Sequence, residues 1–73
     1  MIESEVLALI AEHADVVSPA APLGLDSLTL VVLIEALEAR WGIVVPARDL
    51  VPAHFGTASA VAAYVARRLS EPR

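Results

Sequence analysis

"DSLTLVVLIEALEARWG", residues 26–42, spells a helix together with its start and its stop. Leu30, Leu33, Ile34, Leu37 and Trp41 recur at the three- and four-residue spacing that stacks side chains on one helical face. Gly42 supplies the left-handed stop, Ile43 the apolar residue that commonly follows it, and Arg40 suits the negative end of the helix dipole. At the other end Asp26 and Ser27 are both good caps, and either could serve. A capping box would put Glu or Gln three residues on, where Thr29 or Leu30 stands instead. The spacing predicts a helix over 27–41.

This helix carries more apolar residues than one face can hold. Leu28, Val31 and Val32 cannot all join the stripe of Leu30, Leu33, Ile34 and Leu37, because together they would cover most of the circumference. Some must face outward beside Ser27. An apolar strip bordered by Asp26 and Glu35 reads as a docking surface. The plainer alternative is a wide core stripe in a small bundle.

Upstream, Ile2, Val6, Leu9, Ile10 and His13 fall on or beside one stripe and predict an amphipathic helix from Ile2 to about Ala14. Between the two helices lies "DVVSPAAPLGLD", residues 15–26, in which Pro19, Pro22 and Gly24 forbid a continuous helix. Loops of this length in compact domains tend to be functional. Val16, Val17, Leu23 and Leu25 can pin it to the core, so an ordered loop is expected. Downstream, "IVVP" reads as an extended link, and "ARDLVPAHF" allows one or two irregular turns around Pro52, held down by Leu50, Val51 and Phe55. Thr57 then caps a last helix, "ASAVAAYVARRL", with Val61, Val65 and Leu69 inward and Arg67 and Arg68 near its carboxyl end. The fold class expected is all-α: a small four-helix bundle of three main helices plus a short third one.

A chain of 73 residues makes one domain, residues 1–73, too small for two cores or a large interior active site. Without cysteine it has no disulfide, thiolate metal site or cysteine nucleophile, and a cytoplasmic location follows by default. Glu3 and Glu5 stand where a secretory signal would carry cations. The longest uncharged stretch, "LVPAHFGTASAVAAYVA", is broken by Pro52, His54, Gly56, Thr57 and Ser59, so no membrane span is expected. Net charge is −4, and every charged side chain up to Glu38 is negative while all five arginines lie at or beyond Arg40. An acidic first half argues against nucleic acid, whose phosphates need a basic patch, and favours partners with basic docking surfaces. It also argues against an interfacial membrane binder, which wants cations flanking its apolar face.

Ser27 has three possible occupations. As a cap it would be worth roughly 1 kcal/mol, which leaves the apolar strip beside it unexplained. As a nucleophile it lacks support: the "G-x-S-x-G" elbow is absent, and only His13 and His54 could act as its base. The same two histidines have no metal-ligand spacing, so neither a catalytic residue nor a metal site is expected. As a tether it makes chemical sense. A hydroxyl at the first turn of a helix is exposed, and a phosphodiester built on it would lie by free backbone N–H groups and the positive end of the dipole, a gain of about 0.3 to 1 kcal/mol.

With these residues assembled, "LGLDSLTLVVLIEALEARWGIVVP" resembles the acyl and peptidyl carrier proteins, whose signature is Asp-Ser-Leu at the start of the second helix, an apolar and acidic helix, then an aromatic, Gly-Ile and Pro. The resemblance runs over essentially the whole chain, down to the closing "T-x-x-x-V-A-x-Y-V". It implies a free-standing, monomeric, non-catalytic carrier whose Ser27 receives phosphopantetheine from coenzyme A through a phosphopantetheinyl transferase. The thiol of that arm would hold acyl or aminoacyl groups as thioesters, which agrees with the absence of cysteine. By position, Asp26 would help the transferase engage its metal and coenzyme. Leu28, Val31 and Glu35, with Val32 beside them, would form the face that loading and condensing enzymes touch. Where fatty acid carriers often have acids, this helix has Thr29, Val32, Ala39 and Arg40. Less electrostatic recognition tilts the expectation toward a specialised polyketide or nonribosomal peptide pathway. The alternative is an unmodified helical adaptor that uses the Leu28, Val31 and Val32 face.

Overall fold

In the computed structural model, which describes residues 2–71, α1 spans Ile2–His13 and α2 spans Ser27–Trp41. A 3-10 turn at Ala47–Asp49 and the one-turn helix α3 at Pro52–Phe55 then lead into α4 at Ala58–Ser70. Four helices, with a single isolated bridge and no strand among the described residues, make the all-α bundle that the sequence predicts. α1 packs against both α4 and α2, and α3 closes on α4.

The core is where the helical spacing puts it. Val6 and Ile10, one turn apart on α1, are fully buried, as are Leu33 and Leu37 on α2 and Val61 and Val65 on α4. Leu30 and Trp41 lie half-buried at the rim of the α2 stripe, packed against this cluster. Leu69 does not turn inward as its spacing suggests; it is 41 % exposed. Burial on α4 stops at Val65, so the last turn has no layer over it.

The ends of the helices follow their chemistry. Gly42 sits at φ 67° and ψ 24° and donates its N–H to the Glu38 carbonyl at 2.8 Å. The carboxylate of the same Glu38 accepts from Val45 N–H at 2.9 Å, so one residue ends α2 and pins the extended link that follows. A left-handed backbone costs a non-glycine residue strain, which is why glycine stands there. At Gly56 the requirement is space: a Cβ there would lie 2.5 Å from the Pro52 carbonyl oxygen that closes α3. Thr57 caps α4 as expected, its hydroxyl accepting from Ala60 N–H at 3.1 Å. Thr57→Ala should lower the unfolding free energy by about 1 kcal/mol, read as a shifted urea midpoint with an unchanged slope.

The long loop is ordered, but by other means than four apolar pins. Val16, Leu23 and Leu25 do pack on the core, whereas Val17 is 90 % exposed. Backbone bonds take its place. Leu23 N–H donates to Gly56 O and Ser59 N–H donates to Pro19 O, both at 2.8 Å, and Pro22 pairs with Thr57 in the isolated bridge. The loop before α2 is thereby fastened to the α3–α4 corner. Of the three residues expected to hold down the 47–55 segment, only Phe55 is buried; Leu50 and Val51 keep 38 % and 39 % of their surface exposed and line a pocket.

Asp49 provides the other fastening of that segment. Its Oδ2 accepts from the Tyr64 hydroxyl at 2.6 Å, and the Tyr64 oxygen in turn accepts from Arg68 Nη1 at 2.8 Å. The Tyr64 hydrogen bond holds the Asp49 carboxyl below its usual range against the opposing effect of burial, with Arg48, His54 and Arg68 helping. Burial first, and then the same bond, push the Tyr64 phenol up.

Candidate functional site at the start of the second helix

Both candidate caps lie at the head of α2, and the backbone separates their roles. Asp26 has φ −80° and ψ 171°, the extended conformation of an N-cap, and its Oδ1 accepts from Thr29 N–H at 2.7 Å. Its carbonyl accepts from Leu30 N–H at 2.9 Å, the first bond of the helix. Asp26 is therefore the cap, and Ser27 is the first helical residue. The Ser27 side chain is exposed and takes no part in capping.

The Thr29 amide, followed by the Thr29 hydroxyl, holds the Asp26 carboxyl below its usual range. A lowered folded pKa contributes stability that is present above the unfolded value, about 3.9, and is lost as pH falls through the folded value. Asn caps as well as Asp without titrating in this range. Asp26→Asn should therefore lose less stability than wild type on going below the usual carboxylate range, measured by urea unfolding at a series of acidic pH values. A residual slope will remain, because Asp49 is shifted in the same direction.

The apolar strip faces outward. Leu28 is 75 % exposed, Val31 51 % and Val32 40 %, and Glu35 is exposed beside them. By helical geometry these four fall in an arc of roughly 100° opposite the Leu33–Leu37 stripe. Val31 lies one turn above Ser27. The wide-core alternative for this helix is thus excluded, and Ser27, Asp26 and the strip form one continuous surface at one end of α2.

An apolar pocket of about 290 Å³ opens next to it, which the sequence did not reveal. Gly24 and Leu25 from the loop, Leu30 from α2, and Leu50, Val51 and Phe55 from the 50–55 segment are among its walls. The signal was present only as apolar residues in stretches without periodicity. The histidines do not join the site. His13 ends α1, and the His54 ring lies 4.9 Å from the Tyr64 ring; neither is hydrogen-bonded to Ser27. Among the described residues no cluster of His, Asp and Glu could hold a metal ion. Arg40, where an acid is often found in carriers, turns to α1 instead. Its Nη2 donates to Glu5 Oε1 at 2.9 Å, and its guanidinium lies 5.2 Å from the centroid of the Trp41 ring.

The head of α2 thus presents an exposed serine hydroxyl on the first helical residue, after an aspartate cap and an anchored loop. The residues fit a phosphodiester-linked arm: Ser27 is exposed, and the N–H groups of the first turn before Thr29 are not used by the cap. Residues 4–65 match the family described as the phosphopantetheine attachment site, and the chain belongs to that family. No curated protein and no solved structure matches it. The protein is a carrier that bears covalently attached phosphopantetheine, and domains of this kind, generally non-catalytic, work with partner enzymes such as transferases and synthases. When bound, the arm supplies the thiol on which cargo is held. No helix among the described residues is long and apolar enough to cross a membrane.

Proposed function

We propose that Ser27 is the attachment residue, that residues 1–73 act as one carrier domain, and that the chain serves a specialised polyketide or nonribosomal peptide pathway by holding acyl or aminoacyl units as thioesters. One observation carries the assignment of Ser27: its hydroxyl is exposed on the first turn of α2 while Asp26 does the capping. The hydroxyl is thus available to a transferase without loosening the helix. Asp26, Leu28, Val31, Val32 and Glu35 form the face on which the transferase and the loading and condensing enzymes dock.

The pathway reading rests on the make-up of that face. Three exposed aliphatic side chains stand beside Glu35, and Arg40 is occupied by Glu5. Association through such a surface depends more on burying apolar area than on charge steering, which distinguishes it from a densely acidic helix. The neighbouring apolar pocket has room for a small cargo against α2 and α3. The same exposed strip would serve an adaptor, but an adaptor needs no modification at Ser27. Mass measurement after incubation with coenzyme A and a phosphopantetheinyl transferase separates the two. Addition of one phosphopantetheine at Ser27 supports the carrier reading, and no addition overturns it.

A further inference from the structure

A second cleft, also about 290 Å³, is as polar as the first is apolar. Arg48, Asp49, His54, Tyr64, Arg67 and Arg68 line it together with Glu71. Three arginines against two carboxylates give an excess of one positive charge, in a chain whose net charge is −4. Basic character is concentrated here against the trend of the molecule.

The two carboxylates are already engaged. Asp49 accepts from Tyr64 and lies 3.7 Å from Arg68 Nη1, while Arg68 Nε pairs with Glu71 Oε1 at 3.1 Å. Arg48 and Arg67 are both exposed, and neither makes an ion pair among the described residues. Arg67 is nevertheless held at the cleft, its guanidinium 5.6 Å from the centroid of the Tyr64 ring. Tyr64 is itself buried, and its hydroxyl is hydrogen-bonded to both Asp49 and Arg68. Arg40, the one other arginine described, is taken by Glu5. The two uncommitted guanidinium groups therefore share one cleft. A guanidinium presents a planar fork that matches a carboxylate in two parallel hydrogen bonds.

We propose that this cleft docks an acidic segment of a partner protein, with Arg48 and Arg67 receiving its carboxylates. Charge complementarity selects the occupant. Nucleic acid and anionic membrane present extended negative surfaces, which a molecule of net −4 repels as a whole. A short segment with a few carboxylates meets only the cleft. The site is independent of Ser27 and of the α2 face, so it stands or falls separately from the carrier assignment.

The test is fluorescence anisotropy of a labelled short polyglutamate peptide titrated with the purified chain at low ionic strength. Binding is expected, it should weaken as salt rises, and Arg48→Gln and Arg67→Gln should each weaken it at least about threefold. Arg40→Gln removes the same charge outside the cleft and should leave the affinity within about twofold. Circular dichroism identifies any variant that fails to fold; Arg48→Gln alone then carries the comparison, its side chain being exposed. Absence of peptide binding overturns the proposal. So does an equal loss on Arg40→Gln, which would reduce the effect to overall charge. Inorganic phosphate is titrated in parallel by thermal shift. Stabilisation by phosphate without peptide binding would make this a small-anion site and also overturn the docking role.

Discussion

Treated with coenzyme A and a broad-specificity phosphopantetheinyl transferase, the wild-type chain should gain one phosphopantetheine and the Ser27→Ala variant none. The expected effect is complete because the reacting oxygen itself is removed. What makes the comparison clean is the division of labour at the head of α2. Were Ser27 the cap, its replacement would also fray the helix the transferase must grip, and a failed reaction would have two explanations. Asp26 holds the Thr29 amide, so the helix start survives the substitution. The variant should unfold within about 0.5 kcal/mol of wild type, as exposed substitutions away from caps and cores do. An equal mass gain on both proteins would move the attachment elsewhere, and no gain on either would remove the assignment altogether.

Leu37→Ala should produce the largest loss of stability. Leu37 is fully buried on α2, in the cluster that joins α1, α2 and α4. Truncating such a leucine removes transfer free energy and leaves a cavity, at a cost of about 2–5 kcal/mol. A domain of this size has a small core, and total stabilities of small proteins lie near the low end of about 5–15 kcal/mol. The substitution should take away a large part of the whole. Urea unfolding followed by circular dichroism would measure it, and a loss under about 1 kcal/mol would mean that the core closes over the gap. Because α2 carries both the core stripe and the exposed apolar strip proposed as the docking face, the same variant should be loaded poorly even though its Ser27 is intact.

Three long helices and the serine at the head of one were legible because their signals are local. Spacing marks the stripe of α2, Gly42 marks its end, and Thr57 marks the start of α4. The choice between Asp26 and Ser27 as cap was not legible, since both side chains can accept the bond and backbone dihedrals decide between them. Val17 and Leu69 were misread for a different reason. An apolar side chain at the right spacing is buried only if another layer covers it, and nothing covers position 17 or the last turn of α4. The apolar pocket between the loop, α2 and the 50–55 segment, and the tie from Asp49 through Tyr64 to Arg68, join segments far apart in the chain. No periodicity encodes such meetings.

The pins of the long loop have a consequence for how this protein can change over generations. Leu23 N–H on Gly56 O and Ser59 N–H on Pro19 O use main-chain atoms alone. Side chains at 18 and 20 are therefore open to variation without breaking these two bonds, whereas a proline at 23 or 59 would delete a donor. Selection for new partners can rewrite the surface of the loop while the geometry that presents Ser27 is inherited unchanged.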